Sequence, residues 1–141
     1  MGQDVFLVAY DGRDQHPVDF AVERALKEDA RLVIVHVLEW SPYSFLTNEE
    51  LAHRHQQRQQ ELARAEEAIL KPVLERVRRG GITADGEVRY GNVVDLLCLA
   101  GKEANAAMIF LGRSSSLSAR VFGSVASGVV QCATVPTVIV P

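Results

Sequence analysis

Short runs of apolar, β-branched residues alternate with longer helix-patterned segments along the whole chain, and this alternation limits the possible folds most strongly. The strand-like runs cover residues 4–10, 31–38, 84–90, 106–112 and 135–141. Between them, apolar residues at three- and four-residue spacing predict helices. Repeated strand–helix units form a parallel sheet, and right-handed crossovers place the helices on both of its faces. We therefore expect an α/β protein with a five-stranded parallel sheet.

The predicted helices carry ordinary start, kink and stop signals. Pro17 stands near the first turn of the first helix, Pro72 is expected to kink the long second helix, and Gly80-Gly81 to end it. The stripe expected to be buried on the second helix is Leu62, Ala65, Ile69, Val73 and Val77, and on the third helix it is Val94, Leu97, Cys98 and Gly101. Because no linker or repeat interrupts the pattern, residues 1–141 are predicted to form one domain.

Charge and cysteine content exclude several classes of protein. The net charge of -3 is not that of a nucleic-acid-binding domain, which normally clusters Lys and Arg. No apolar run approaches the ~20 residues of a membrane-spanning helix, and no secretory signal is visible at the N-terminus, so a cytoplasmic location is expected. Cys98 and Cys132 belong to no CxxC motif or His/Cys cluster, which predicts two reduced thiols that fill the core.

Two loops are expected at the carboxyl edge of the sheet, where ligands bind in folds of this kind. One holds Asp11 and Gly12 after the first strand, and the other starts at Gly112 after the fourth strand. The second loop ends at Gly123 and Ser124, where a helix pattern begins and free N–H groups would favour an anion. A turn at Asp11-Gly12 and an N-cap at Ser124 explain the same residues without a ligand, so both interpretations stay open.

Several segments resemble the universal stress protein family over nearly the whole chain. They are "VAYDGRD", "VIVHVLE" and, most specifically, "SSLSARVFGSVASGVV" with "VPTVIVP" at the C-terminus. The resemblance implies a Rossmann-like sheet in the order 3-2-1-4-5, related to that of the adenine nucleotide alpha hydrolases. It also implies a homodimer formed through the last strand and, as in many members, ATP between strands one and four. The unprotected "TVIVP" edge would favour the same dimer, with Val138 and Val140 in the interface.

The resemblance also implies which residues bind the nucleotide. Asp11 would lie near the ribose, the backbone at Val37 would meet the adenine, and Ala9 would be apolar lining or simply sheet core. The full expected set is Ala9, Asp11, Val37, Gly112, Arg113, Ser115, Gly123 and Ser124. His36, inside the second strand, is interpreted as a hydrogen-bonded core histidine rather than a base.

The phosphate loop departs from the family pattern. Ser115 stands where ATP-binding members have a second glycine, and seven residues separate it from Gly123, two fewer than in the pattern. The Ser115 side chain would intrude where backbone should approach a phosphate, whereas Arg113 and Arg120 could replace lost contacts through their charge. Arg13 also replaces the hydroxyl residue that usually follows Asp-Gly. A plain solvated connector explains the Ser/Arg loop equally well.

No catalytic constellation is visible, and neither catalytic residues nor a metal site are predicted. The P-loop, HExxH, G-x-S-x-G and G-x-G-x-x-G motifs are missing from the expected positions. Slow ATP hydrolysis stays open, although the single carboxylate of Asp11 is thin support for it. Two functions remain: a stress-response protein that binds ATP or a related adenine nucleotide in a regulatory role, with magnesium undetermined, and a nucleotide-free homodimeric adaptor.

Overall fold

The computed structural model describes residues 3–39, 47–113 and 124–141. Its strands are β1 (Val5–Ala9), β2 (Arg31–Glu39), β3 (Ala84–Gly91), β4 (Met108–Gly112) and β5 (Thr137–Val140). Its helices are α1 (His16–Glu28), α2 (Asn48–Ala65), α3 (Lys71–Arg79), α4 (Val93–Glu103) and α5 (Ser124–Cys132), and a π-helical turn (Glu66–Leu70) joins α2 to α3. The strands pair in parallel in the order β3-β2-β1-β4-β5, as expected.

The sheet has a core on each face. Phe6 and Val8 of β1 pack with residues of α1 and α3, whereas Leu7, which lies between them, packs with residues of α4 and α5. All three side chains are fully buried. Because helices cover both faces, side chains of both orientations along the strand are apolar, which explains the continuous apolar runs of the sequence.

A π-helical turn lies directly before Pro72, where the sequence predicted a kink. The Lys71 N–H donates to the Glu66 carbonyl, five residues back, instead of to the carbonyl four residues back. Proline has no N–H, and its ring conflicts with the carbonyl four residues earlier. The extra residue of the π turn therefore accommodates Pro72 while the helical segment continues from α2 into α3.

The π turn also changes the buried stripe of this segment. Each added residue rotates the helix face by about 100°. Leu70 and Leu74 are consequently buried although the uninterrupted pattern omitted them, whereas Leu62 and Ile69 are only partly buried. The remaining predicted positions, Ala65, Val73 and Val77, are buried as expected.

The prediction of two reduced core thiols was wrong. Cys98 and Cys132 form a disulfide between α4 and α5, with their Cα atoms 6.4 Å apart. Cys98 is partly buried, and Cys132, the last residue of α5, is exposed. Residue spacing could not predict this pair, because the two cysteines are 34 positions apart and meet only when α4 and α5 pack side by side.

Candidate functional site

The β1 and β4 strands separate at the carboxyl edge of the sheet. Their pairing runs from Phe6–Met108 to Val8–Phe110, although both strands continue beyond the last pair. The chain then leaves β1 towards α1 on one face, and α5 follows β4 on the opposite face. Since β1 is flanked by β2 on one side and β4 on the other, this is the point where the strand order reverses. Ligands of open α/β sheets bind at such a point.

Asp11 forms the turn that leaves β1. Its Oδ1 atom accepts hydrogen bonds from the backbone N–H groups of Arg13 and Asp14, both at 2.8 Å. Gly12 has a φ of +92°, a conformation that side-chain-bearing residues rarely adopt. Asp11 therefore stabilises the turn, as one of the two sequence-based interpretations predicted. It uses one carboxylate oxygen, and the exposed carboxylate carries a second acceptor atom for a ligand.

A buried histidine on β2 contacts the backbone just before this turn. His36 on β2 is 6% exposed, and its Nδ1 lies 2.7 Å from the carbonyl oxygen of Tyr10. Because a carbonyl oxygen only accepts, the ring nitrogen must donate, which fixes the tautomer of the neutral ring. The N–H of Tyr10 in turn donates to the Val35 carbonyl at 2.9 Å. His36 is thus the hydrogen-bonded core histidine that the sequence predicted, and it fixes the backbone just before Asp11.

A chain of polar contacts braces the same loop against α3. Gln15 donates through Nε2 to the Tyr10 hydroxyl and accepts through Oε1 from Arg76. Arg76 also donates to Asp19 of α1 at 2.8 Å. Burial is the main reason why the pKa of Tyr10 lies above its ordinary value. Sequence reasoning missed this network, since nothing in the spacing of these residues indicates that α3 passes the start of α1.

The predicted residues on β1 and β2 form an apolar wall. Ala9 and Val37 are partly buried and pack against the cluster that α4 and α5 form on their face of the sheet. Val35, two residues before Val37, is 1% exposed. This placement fits both sequence-based interpretations, because the pair can be sheet core and still present apolar surface at the edge.

The structure describes both ends of the predicted phosphate loop. Gly112 is in register with Val140 of β5, and the Arg113 N–H donates to the Val140 carbonyl at 2.9 Å, so the β4–β5 ladder extends to this residue. At the other end, α5 begins at Ser124. Ser115, Arg120, Gly123 and the side chain of Ser124 lie outside the described part of the chain. Of the predicted set, the structure thus brings Ala9, Asp11, Val37, Gly112 and Arg113 to one edge of the sheet.

The described residues contain neither a candidate metal site nor a candidate membrane-spanning helix. No group of three or more His, Cys, Asp or Glu side chains there could hold a metal ion. Among the helices so described, none has the length and apolar character needed to cross a membrane.

Comparisons with known proteins give one consistent result. Residues 4–141 match the model of the universal stress protein family, and no curated protein sequence matches the chain. Among solved structures, the universal stress protein UspA from Lactobacillus plantarum is similar with a TM-score of 0.82 at 22% identity, and both chains are covered completely.

Two further similar structures contain adenine nucleotides. One is a universal stress protein in complex with cAMP, with a TM-score of 0.70 and 22% identity over 100% of this chain and 98% of the other. The other is the universal stress protein from Archaeoglobus fulgidus in complex with dAMP, with a TM-score of 0.67 and 19% identity over both whole chains. At these identities the likeness establishes the fold, and the nucleotides are properties of those proteins.

Proposed function

The chain belongs to the universal stress protein family, and on this premise we propose that it is a stress-response protein whose regulatory ligand is ATP or a related adenine nucleotide. The observation that carries the proposal is the separation of β1 and β4 at the carboxyl edge, with Asp11 on one side and the start of α5 on the other. Similar structures bound to cAMP and dAMP support the choice of adenine as the base.

Each part of the nucleotide has a chemically suitable partner in the proposed site. The second carboxylate oxygen of Asp11 would accept from a ribose hydroxyl, while the first stays in the turn. The backbone at Val37, with Ala9 beside it, would meet the adenine. Free N–H groups and the helix dipole at the N-terminus of α5 favour phosphate, as does the charge of Arg113. Gly112, Ser115, Gly123 and Ser124 complete the proposed phosphate contacts.

We propose that the protein binds rather than transforms the nucleotide. Asp11 is the one acidic residue assigned to the site, and Oδ1 of its carboxylate already holds the turn. Hydrolysis needs a base positioned at the phosphates, and the second oxygen of this carboxylate is assigned to the ribose instead. We propose a cytoplasmic location for this role. Whether magnesium accompanies the nucleotide is decided by the assay below, run in parallel with EDTA and with magnesium chloride.

Thermal unfolding with and without ligand tests the proposal. ATP or AMP at 100 times its dissociation constant should add about 2.7 kcal/mol of stability, which raises Tm by about 9 °C for a chain of this length. GTP at the same concentration serves as the control for base recognition. No shift with any adenine nucleotide would contradict nucleotide binding.

Asp11→Asn is the sharpest variant for this assay. An asparagine retains an acceptor oxygen for the two turn hydrogen bonds but replaces the second oxygen with an NH₂ group. We expect the Tm without ligand to stay nearly unchanged and the nucleotide-induced shift to shrink. Asp85→Asn is the matched control, because exposed Asp85 lies near the start of β3 at the opposite edge of the sheet.

A nucleotide-free homodimeric adaptor is the second candidate, and the free edge of β5 favours it. The carbonyls of Pro136 and Val140 accept bonds from the β4 side. Since strand residues alternate, the peptide groups of Thr137 and Ile139 point away from β4. In the described residues no strand pairs with this edge. A second copy could pair there, and a dimer without any nucleotide-induced Tm shift would favour the adaptor.

The side chains first expected in the dimer interface already have partners within the chain. Val140 is 6% exposed and belongs to the core on the α1 face, and Val138 is partly buried against the same core. Their place in an interface stays a prediction. In the proposed dimer, the outward peptide groups of Thr137 and Ile139 would make the hydrogen bonds between the two copies. Val138 and Val140 would hold the strand in place through their packing on the core of their own chain.

A further inference from the structure

We infer that the Cys98–Cys132 disulfide is a reversible redox site that controls how tightly the chain binds a nucleotide. The inference rests on the function proposed above and adds a regulatory input to it. The bond joins α4 to α5, and α5 is the helix whose N-terminus is assigned to the phosphates. Its formation or cleavage therefore acts directly on one side of the proposed site.

The disulfide is open to a reductant. Cys132 is exposed at the end of α5, and Cys98 is only partly buried. Leu99, next to Cys98, is 48% exposed, and Val130, two residues before Cys132, is 58% exposed, so the pair lies near the surface of the described part of the chain. Disulfides of proteins in reducing compartments are usually transient and often act as sensors. In the cytoplasm proposed for this chain, an accessible pair of this kind would exchange with cellular thiols.

The disulfide adds a covalent tie to a short helix. The helix has nine residues, too few to be stable by itself. Its one fully buried side chain in the described residues is Val129. Beside it, Gly128 packs so closely on α4 that an added Cβ would lie 2.8 Å from Val94 Cγ2. Cleavage of the disulfide would leave the apolar packing of Val125, Ala126 and Val129, with the close contact of Gly128, to hold α5.

The loop closed by the disulfide contains the proposed phosphate site. The two cysteines are 34 residues apart, and the segment between them holds β4, Gly112, Arg113 and the start of α5. In the oxidised chain a covalent bond ties α5, at one end of the phosphate loop, to α4, while pairing with β5 holds Gly112 and Arg113 at the other end. Binding to a preorganised site is tighter because less ordering occurs on binding, so the oxidised form should bind the nucleotide more tightly.

The chemistry is a thiol–disulfide exchange with a dithiol as the reductant. One thiolate of the dithiol attacks Sγ of Cys132, the bond to Cys98 breaks, and the Cys98 thiolate leaves and takes up a proton. The second thiol of the reductant, after losing its proton, attacks the mixed disulfide and releases the Cys132 thiolate, which is protonated in turn. Two electrons pass to the protein, and the dithiol becomes a cyclic disulfide. Exchange with a small-molecule disulfide reverses the process.

The experiment measures ATP affinity by calorimetry in both redox states of the full chain. The oxidised form is prepared with glutathione disulfide and the reduced form with excess dithiothreitol. Circular dichroism checks that the reduced chain is folded at the assay temperature. Thiol titration should find no free thiol per chain before reduction and two after it. We expect the reduced chain to bind ATP at least about fivefold more weakly, the lower end of usual coupling between sites.

The double variant Cys98→Ser/Cys132→Ser is the matched control. It should bind ATP like the reduced wild-type chain and should not respond to dithiothreitol. Reciprocity adds a second readout, because ATP should then shift the dithiol concentration at which half of the disulfide is reduced.

The outcomes separate this inference from the proposed function. Equal affinity in both redox states would overturn the redox control and leave nucleotide binding intact. The finding of two free thiols after oxidation would overturn the disulfide itself. A chain that binds no adenine nucleotide in either state would overturn the proposed function and the control together.

Discussion

Reduction of the Cys98–Cys132 disulfide should cost the protein a large share of its stability. The two residues are 34 positions apart. In the chain-entropy model, closure of a loop of this length removes about 13 cal/mol/K from the unfolded chain, or about 3.8 kcal/mol at 25 °C. Domains of ordinary stability unfold with about 5–15 kcal/mol, so the reduced chain should remain folded with a smaller margin.

The same figure sets the expected change in Tm. At about 2.1 cal/mol/K of unfolding entropy per residue, a chain of this length loses about 13 °C of Tm for 3.8 kcal/mol. Urea denaturation of the oxidised chain, the reduced chain and the Cys98→Ser/Cys132→Ser variant gives the free energies directly. The variant should match the reduced chain and ignore the reductant. A difference below about 1 kcal/mol would refute the loop-closure reasoning.

Three further predictions follow from other parts of the fold. Gly86→Ala should lose about 1–3 kcal/mol in urea denaturation, because the new Cβ would lie 2.8 Å from the Ile34 carbonyl oxygen, a backbone atom that cannot move aside cheaply; an unchanged midpoint would mean that β2 and β3 can separate. Burial raises the pKa of Tyr10, so above pH 10 the unfolded chain releases this proton first and stability should fall as the pH rises. Tyr10→Phe should flatten that fall in unfolding experiments between pH 9 and 11, and an identical slope would contradict the assignment. Thr137→Pro should give monomers in sedimentation experiments with little loss of Tm, because the ring replaces an N–H that points away from β4; a dimer that persists would place the interface elsewhere.

Features of the fold that depend on local sequence were predicted well. The apolar runs located all five strands to within about two residues, the usual precision for such boundaries. Asp11 and Gly12 predicted a tight turn, because Asp and Gly favour turns through local backbone effects that do not depend on the rest of the fold. The order of the strands depends on contacts distant in sequence, and it came from the family resemblance.

Features that depend on irregular helix geometry or on how helices meet were not predicted. The π turn before Pro72 inserts one extra residue into the helix. An analysis that assumes a regular period of about 3.6 residues does not detect such an insertion. The disulfide requires α4 and α5 to lie side by side, and the close approach of Gly128 to α4 becomes visible only in three dimensions. The bracing of Tyr10 by Arg76 through Gln15 likewise joins residues far apart in sequence.

The two sides of the candidate site are held by different means, and this difference makes one more prediction. The Asp11 side is fixed by His36 from β2 and by the Arg76 network from α3, neither of which involves the disulfide. The α5 side is held by the apolar packing of Val125, Ala126 and Val129, by a close contact with α4 and by the disulfide.

Redox state should therefore change phosphate contacts. It should leave the ribose contact at Asp11 nearly untouched, and also the adenine contact at the Val37 backbone, because pairing with β3 holds that backbone in place. Adenosine, which has no phosphate, should bind the oxidised and reduced chains equally, whereas ATP should prefer the oxidised chain. Calorimetric titrations of both ligands in both states measure this directly. If adenosine lost as much affinity as ATP on reduction, the disulfide would act on the whole sheet edge, and the assignment of phosphate binding to α5 would lose its support.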